Sequence, residues 1–224
     1  MIITKKKDRT KLLDTVKRYN KFFLVGCSEC ASLCGTGGEP ELAELKALLE
    51  TEGKTVTGTF RAKTGCQVLG TKVELKGLKN ETNDADAVIV MSCGAGTQAA
   101  VEMFPDKPVY PSNDSMFLGN MTRYQLFDER CSLCGECVIE QTGGICPVTN
   151  CPKGLLNGPC GGCKDGNCEV SPDIKCCWVR IYDRMKRIGQ LDDLEALVMA
   201  PKDWAQSQKP RTLSARPEGE EKKK

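Results

Sequence analysis

The sequence predicts an α/β protein: a small parallel sheet with flanking helices, then an irregular cysteine-rich metal-cluster domain and C-terminal helices. Two observations lead to this prediction. In the N-terminal half, short apolar runs alternate with helical patterns, and cysteines follow the runs. Between residues 131 and 177, ten of the 15 cysteines occur in a stretch with few apolar side chains. Metal–thiolate bonds would have to order such a stretch.

The N-terminal half has the pattern of a Rossmann-like domain over residues 1–110. The buried strands are expected at residues 21–26 (KFFLVG), 55–60 and 86–92 (DAVIVMS). Helices are expected at residues 8–19, 39–53, 71–80 and 94–104. Residues 105–120 are rich in turn formers, which predicts a linker to the next domain.

A metal site is expected where these strands end. Cys27, Cys30 and Cys34 form C-x2-C-x3-C directly after the first strand, and Cys93 directly follows the third. Because residues that follow parallel strands meet at one edge of the sheet, Cys93 is the simplest fourth ligand. Cys66 is the alternative fourth ligand. Five residues, RAKTG, separate it from its strand, so it reaches the edge only if that loop folds back. Cys66 and Cys93 could also be small buried apolar residues.

Residues 94–99 also fit the dinucleotide pattern G-x-G-x-x-A. The pattern follows the third strand, and no acidic residue is evident about twenty positions later. Small residues would equally allow backbone amides to approach a cluster, so we do not predict a nucleotide site from it.

The cysteine-rich stretch begins C-x2-C-x2-C at Cys131, Cys134 and Cys137, followed by Cys-Pro at residues 146–147 and 151–152. Closely spaced thiols of this kind, with a distant Cys-Pro, are typical of [4Fe–4S] ligation. Structural zinc is the main alternative, although its ligand pairs usually lie farther apart. The chain contains no histidine, so zinc would also need cysteine ligands.

The C-terminal part is expected to complete a domain over residues 121–200. Trp178, Ile181, Tyr182 and Met185 form an apolar stripe on a helix at 178–188, and a shorter helix is expected at 191–199. Residues 201–224 are polar and charged, which predicts a flexible tail. Trp204 within it could contact a partner.

Composition excludes several classes of function. The net charge is +2 and aromatic residues make up 5% of the chain, which argues against nucleic-acid binding. No apolar run is long enough to span a membrane. The N-terminus has no apolar segment of the secretory kind, so we expect a cytoplasmic protein without disulfides.

Several motifs together resemble one known family. These are residues 142–162 (TGGICPVTNCPKGLLNGPCGG), GNCEV, CCWVRIYDR and PKDW in the C-terminal half, with VGCSECASLCGTGGEPE and MSCGAG in the N-terminal half. They resemble the methylenetetrahydrofolate reductase C-terminal domain family, and specifically the small iron–sulfur subunit of bacterial two-subunit reductases.

The resemblance implies a set of metal ligands that excludes Cys163 and Cys177. In the cysteine-rich half the family pattern falls on Cys131, Cys134, Cys137, Cys146, Cys151, Cys160, Cys168 and Cys176. Two or three [4Fe–4S] clusters are expected in all, with zinc as an alternative at one site.

The resemblance also implies a partner and a role. The partner is a flavin-containing catalytic subunit that reduces 5,10-methylenetetrahydrofolate to 5-methyltetrahydrofolate in acetogen-type (Wood–Ljungdahl) one-carbon metabolism, often with further electron-transfer subunits. This chain would pass electrons to that flavin and would not be catalytic alone. The alternatives are a structural zinc adaptor that clamps the catalytic subunit and a zinc–thiolate methyltransferase, for which no open metal position is evident.

Overall fold

The computed structural model describes residues 1–207 and 210–213. The chain divides into two compact units, Met1–Arg130 and the residues from Cys131 onward. Most of the expected charged tail, residues 208, 209 and 214–224, lies outside the described residues.

The N-terminal unit alternates strands and helices. Its elements are β1 (Ile2–Lys6), α1 (Arg9–Val16), β2 (Lys21–Cys27), α2 (Cys30–Leu33), α3 (Glu39–Thr51), β3 (Thr55–Ala62), α4 (Val68–Glu74), a 3₁₀ helix (Leu75–Leu78), α5 (Lys79–Asp84), β4 (Ala87–Met91), α6 (Gly94–Met103), β5 (Val109–Pro111), β6 (Asn113–Arg123) and β7 (Leu126–Cys131).

A four-stranded parallel sheet in the order β3-β2-β4-β5 forms the centre of this unit. Along β2, Phe22 and Leu24 pack on one side of the sheet and Phe23 and Val25 pack on the other. All four side chains are buried, as β2 must be when helices cover both faces. The predicted α/β class with a small parallel sheet and flanking helices is confirmed.

A second, three-stranded sheet in the order β1-β6-β7 was not predicted. β1 pairs antiparallel with β6, from Ile2 opposite Leu118 to Lys6 opposite Asn113. The prediction of a linker at residues 105–120 is therefore wrong. Its Asn, Asp and Ser residues do favour turns, but here Asn113 is buried and hydrogen-bonded, so tertiary contacts override the local preference.

The C-terminal unit has little regular structure before its longest helix. Its elements are a 3₁₀ helix (Ile139–Thr142), α7 (Pro147–Asn150), β8 (Asn167–Cys168), β9 (Ser171–Lys175), α8 (Cys177–Arg187), α9 (Leu191–Glu195) and a 3₁₀ helix (Trp204–Gln206). Both expected C-terminal helices are present as α8 and α9, although α9 ends at Glu195 and not at residue 199 as expected.

The core of this unit is built on α8. Trp178, Ile181 and Met185 are buried together with Met199, whereas Tyr182 of the predicted stripe is 44% exposed. The Trp178 indole N–H donates to the Leu155 carbonyl oxygen at 3.1 Å, which ties the cysteine-rich loops to the helix. Among the described residues, no helix is long and apolar enough to cross a membrane.

Asp86 supports the start of the central strand. Its Oδ2 accepts the backbone N–H groups of Asn20 at 3.0 Å and Lys21 at 2.8 Å. These bonds, the Asn20 one first, lower the pKa of Asp86. A carboxyl whose pKa is lower in the folded state stabilises the fold above its unfolded pKa, and that stabilisation is lost as the pH falls.

We therefore expect Asp86→Ala to lower the free energy of unfolding by about 1 kcal/mol at pH 7. The difference from wild type should shrink as the pH falls below the unfolded-state pKa of about 4 and toward the lower pKa of the folded state. Urea denaturation at several pH values measures both effects, with Asp106→Ala as an exposed control. An equal loss at pH 7 and pH 3 would contradict this role of the carboxylate.

Candidate metal centre

The candidate N-terminal centre lies at the carboxyl edge of the parallel sheet. Cys27 is the last residue of β2 and pairs with Ala62 at the end of β3. Cys93 follows β4 by one residue and occupies the N-cap position of α6. Both cysteines are 8% exposed, so two predicted ligands from distant parts of the chain lie at this edge and are nearly shielded from water.

A glycine-rich loop, residues 35–38, crosses this edge in close contact with the backbone of β2 and β4. The Cys27 N–H donates to the Gly37 carbonyl oxygen at 2.9 Å. A Cβ on Gly37 would lie 1.8 Å from the Met91 carbonyl oxygen, and a Cβ on Gly26 would lie 2.5 Å from the Gly37 carbonyl oxygen. Only residues without side chains allow the loop and both strands to approach this closely.

Buried polar side chains fasten the same loop. The Asn113 amide donates to the Thr36 carbonyl oxygen at 3.2 Å and to the Ser92 carbonyl oxygen at 3.4 Å. The hydroxyls of Thr36 and Thr4 share a hydrogen bond of 2.6 Å. The loop is thereby tied to β4 and to both β1 and β6 of the second sheet, which fixes the backbone on one side of Cys27.

On the other side of Cys27, the loop after β3 folds back over the edge. The Gly65 N–H donates to Cys27 Sγ at 3.4 Å. The Gly65 carbonyl carbon would lie 3.6 Å from a Cβ on Gly96 in α6. The loop that separates Cys66 from its strand therefore returns to the predicted site.

Cys66 shares an electrostatic environment with three predicted ligands. Although the residue is exposed, partial burial of its thiol raises its pKa, and the nearby thiols of Cys93, Cys27 and Cys30 add to the rise. Cys34 lies at the end of α2, where its backbone N–H donates to the Cys30 carbonyl oxygen at 3.0 Å. The contacts thus give Cys66 a place beside Cys27 that the spacing RAKTG did not indicate.

The start of α6 shows why the G-x-G-x-x-A pattern occurs here. The Gly94 N–H donates to Ser115 Oγ at 2.8 Å, so this amide already has a partner. A Cβ on Gly96 would lie 2.5 Å from Ser92 Oγ. Close packing against Ser92 therefore explains Gly96 without a nucleotide phosphate.

In the C-terminal unit, Cys131, Cys134 and Cys137 lie on one turn. The Leu133 N–H donates to Cys131 Sγ at 3.4 Å, and the Cys134 thiol donates to the Glu136 carbonyl oxygen at 3.6 Å. Leu133 and Gly135 both have positive φ, 54° and 82°. These two positions therefore bend the backbone sharply between the cysteines of the C-x2-C-x2-C sequence.

A second group of thiols surrounds Cys163. Burial raises the pKa of Cys163, a hydrogen bond with Cys176 adds to the rise, and Cys160 contributes by charge. Cys160 also donates to Glu169 Oε1 at 3.4 Å. Cys168 lies on β8 opposite Ser171, close in sequence to this group.

Cys146 and Cys151 lie on either side of α7 and share an environment with Cys177. Burial raises the pKa of Cys177 to about 12, against the opposing charge of Arg180, while Cys151, Cys176 and Cys146 add to the rise. Cys177 Sγ donates to the Cys146 carbonyl oxygen at 3.9 Å. Cys177 therefore lies beside two of the expected ligands, Cys146 and Cys151, although the resemblance does not include it in the ligand set.

In each of these groups several thiols lie near one another, but they do not form a complete coordination sphere. Across residues 1–207 and 210–213, no three Cys, Asp or Glu side chains are oriented so that they could hold one metal ion as they stand. All 15 cysteines are free thiols, and the chain offers no histidine. The donor set therefore suits thiolate-bound metals, and rotation of side chains on the existing loops would be needed to converge them.

Comparison with known proteins bears on the second half of the chain. Residues 110–205 match a family model described as methylene-tetrahydrofolate reductase C terminal. This segment contains all ten cysteines of the cysteine-rich stretch and also β6 and β7. No curated protein and no solved structure matches the chain. The resemblance of residues 142–204 to this family is confirmed, while that of the N-terminal motifs lies outside the matched segment and stays a prediction.

The tight packing around residues 35–38 leaves no room for a side chain on Gly37. A methyl group on Gly37 would overlap the Met91 carbonyl oxygen, so the loop or β4 must move. We expect Gly37→Ala to lower the free energy of unfolding of the N-terminal unit by roughly 2 kcal/mol or more. Gly77→Ala is the matched control, because a Cβ there meets nothing within 4 Å. Urea denaturation compares the two, and equal stabilities would contradict the packing argument.

Proposed function

We propose that this chain is the iron–sulfur electron-transfer subunit of a methylenetetrahydrofolate reductase and passes electrons to the flavin of a separate catalytic subunit. The observation that supports it most is that the segment related to the reductase family, residues 110–205, is also the segment with ten free cysteines. The chemistry of the donors supports iron–sulfur clusters, since these loops are rich in thiols and the chain has no histidine.

The residues of the chain would bind and shield such groups. Thiolates of the ligand set would hold the iron, and a bound [4Fe–4S] cluster would supply a one-electron redox centre. At the sheet edge, the Gly65 N–H already donates to Cys27 Sγ, the kind of bond that stabilises a thiolate. The low exposure of Cys27 and Cys93 would keep water from the sulfur atoms.

The direct test is metal analysis of the full chain purified without oxygen. We expect iron and acid-labile sulfide in about equal amounts, roughly 8 to 12 iron atoms per chain for two or three clusters. Electron paramagnetic resonance after chemical reduction should show cluster signals, and mixing with the flavoprotein partner should reduce its flavin. Zinc without sulfide would instead support the structural adaptor, and a metal-free folded protein would overturn both.

Two cysteine variants provide an internal comparison. Cys134→Ser should remove about four iron atoms, one cluster, because no neighbouring thiol can replace the centre of C-x2-C-x2-C. Cys177→Ala should keep the wild-type iron content, because Cys177 lies outside the ligand set that the family resemblance implies. Full iron in Cys134→Ser would contradict the assignment of this turn.

The fourth ligand of the N-terminal site can be tested in the same way. From the contacts of the loop at Gly65, which bring Cys66 beside Cys27, we infer that Cys66 completes the site with Cys27, Cys30 and Cys93. We therefore expect Cys66→Ser and Cys93→Ser to lose the metal of this site, and Cys34→Ser to lose less. Anaerobic iron analysis of the three variants measures this. Loss in Cys34→Ser with retention in Cys66→Ser would restore the ligand set expected from sequence spacing.

A further inference from the structure

The segment 201–207, expected from composition to belong to a flexible tail, makes specific contacts with the Cys131–Cys137 turn. The Lys202 side chain is 1% exposed, although lysine is rarely buried without a partner. Its ammonium donates to the Glu136 carbonyl oxygen and lies 3.6 Å from Glu136 Oε2. Lys202 is thus held by the residue between Cys134 and Cys137.

Backbone contacts extend this attachment. The Asp203 N–H donates to Glu136 Oε2 at 3.0 Å. Gly135, with φ of +82°, lies so close to the segment that a Cβ there would be 2.2 Å from the Gln206 carbonyl oxygen. A side chain at position 135 is therefore excluded both by the backbone conformation and by the neighbouring chain.

The segment also has internal bonds that give it a defined shape. Asp203 Oδ1 accepts the Ala205 N–H at 2.9 Å, and the Ser207 hydroxyl donates to the Trp204 carbonyl oxygen at 2.7 Å. It therefore presents Lys202 from a folded turn and not from an extended chain.

The contact reaches a candidate ligand. The Glu136 carbonyl oxygen accepts from both the Lys202 ammonium and the Cys134 thiol, the latter at 3.6 Å. Lys202 is thus the charged side-chain donor that holds the peptide between Cys134 and Cys137.

We propose that Lys202 is a positioning residue that clamps segment 201–207 onto the Cys131–Cys137 turn and so fixes the spacing of its three thiols. The candidate role of these thiols rests on the proposed function, but the clamp itself rests on contacts within the chain. The positive charge of Lys202 is needed for this clamp, because its acceptors are a carbonyl oxygen and a carboxylate.

Hydrogen exchange of the full chain, purified without oxygen, tests the clamp. We expect Lys202→Met to accelerate amide exchange in residues 131–137 and 201–207 by about tenfold, since it removes the charged hydrogen bonds of a buried ammonium group. Exchange in β2 and α3 should not change. Lys202→Arg, which keeps the charge, should restore most of the protection. Lys46→Met is the matched control, a lysine whose ion pair with Glu50 is exposed.

The outcomes separate the clamp from the proposed function. Unchanged exchange in Lys202→Met, acceleration throughout the chain, or no rescue by Lys202→Arg would each overturn the clamp. If Lys202→Met does not fold, Glu136→Gln serves instead, with about threefold faster exchange expected from loss of the carboxylate. In metal-loaded protein, Lys202→Met should also release iron faster to a chelator. A wild-type protein without iron would overturn the proposed function and leave the exchange test intact.

Discussion

The N-terminal unit depends on backbone-to-backbone contact at the carboxyl edge of its parallel sheet. The loop at residues 35–38 reaches the ends of β2 and β4 because Gly26 and Gly37 have no side chains to keep it away. Asn113, Thr36 and Thr4 then satisfy the polar groups that this contact buries. Without the close approach, Cys27 would end a strand in open solvent. With it, Cys27 lies between two fixed loops: the Gly37 carbonyl oxygen accepts the Cys27 backbone N–H, and the Gly65 N–H donates to the Cys27 sulfur.

The C-terminal unit relies on a different balance of forces. Its apolar core consists mainly of α8 side chains and Met199, and the cysteine-bearing loops cover this small core. Side chains such as Asn157, which both donates to and accepts from Met199, connect these loops to the segment after α9. A core of this size leaves little hydrophobic stabilisation for loops of this length, so bonds from thiolates to metal would matter for the order of the loops as well as for their chemistry.

The sequence correctly predicted the strands and helices that have strong local patterns. The apolar runs of β2 and β4 predict buried strands, and the leucine spacing of α3 predicts an amphipathic helix. These elements are present at the expected positions. β1, β6 and β7 were missed because they are strands of mixed polarity, in which only some positions, such as Ile3 and Asn113, are buried. The return of Cys66 to the sheet edge depends on the Gly65 N–H and on small residues of α6, contacts far apart in sequence. The PKDW motif was noticed, but its composition could not show that Lys202 would be buried.

The environment of Cys177 makes it a natural reporter of order in this unit. Its thiol is 2% exposed, and burial raises its pKa to about 12, so in the native protein it has neither the access nor the thiolate form that alkylating reagents and peroxides require. When α8 separates from the loops, the thiol regains both. The rate at which this one sulfur becomes chemically reactive therefore measures how often the core around Trp178 opens, in a chain whose other cysteines offer no comparably concealed group in the same helix.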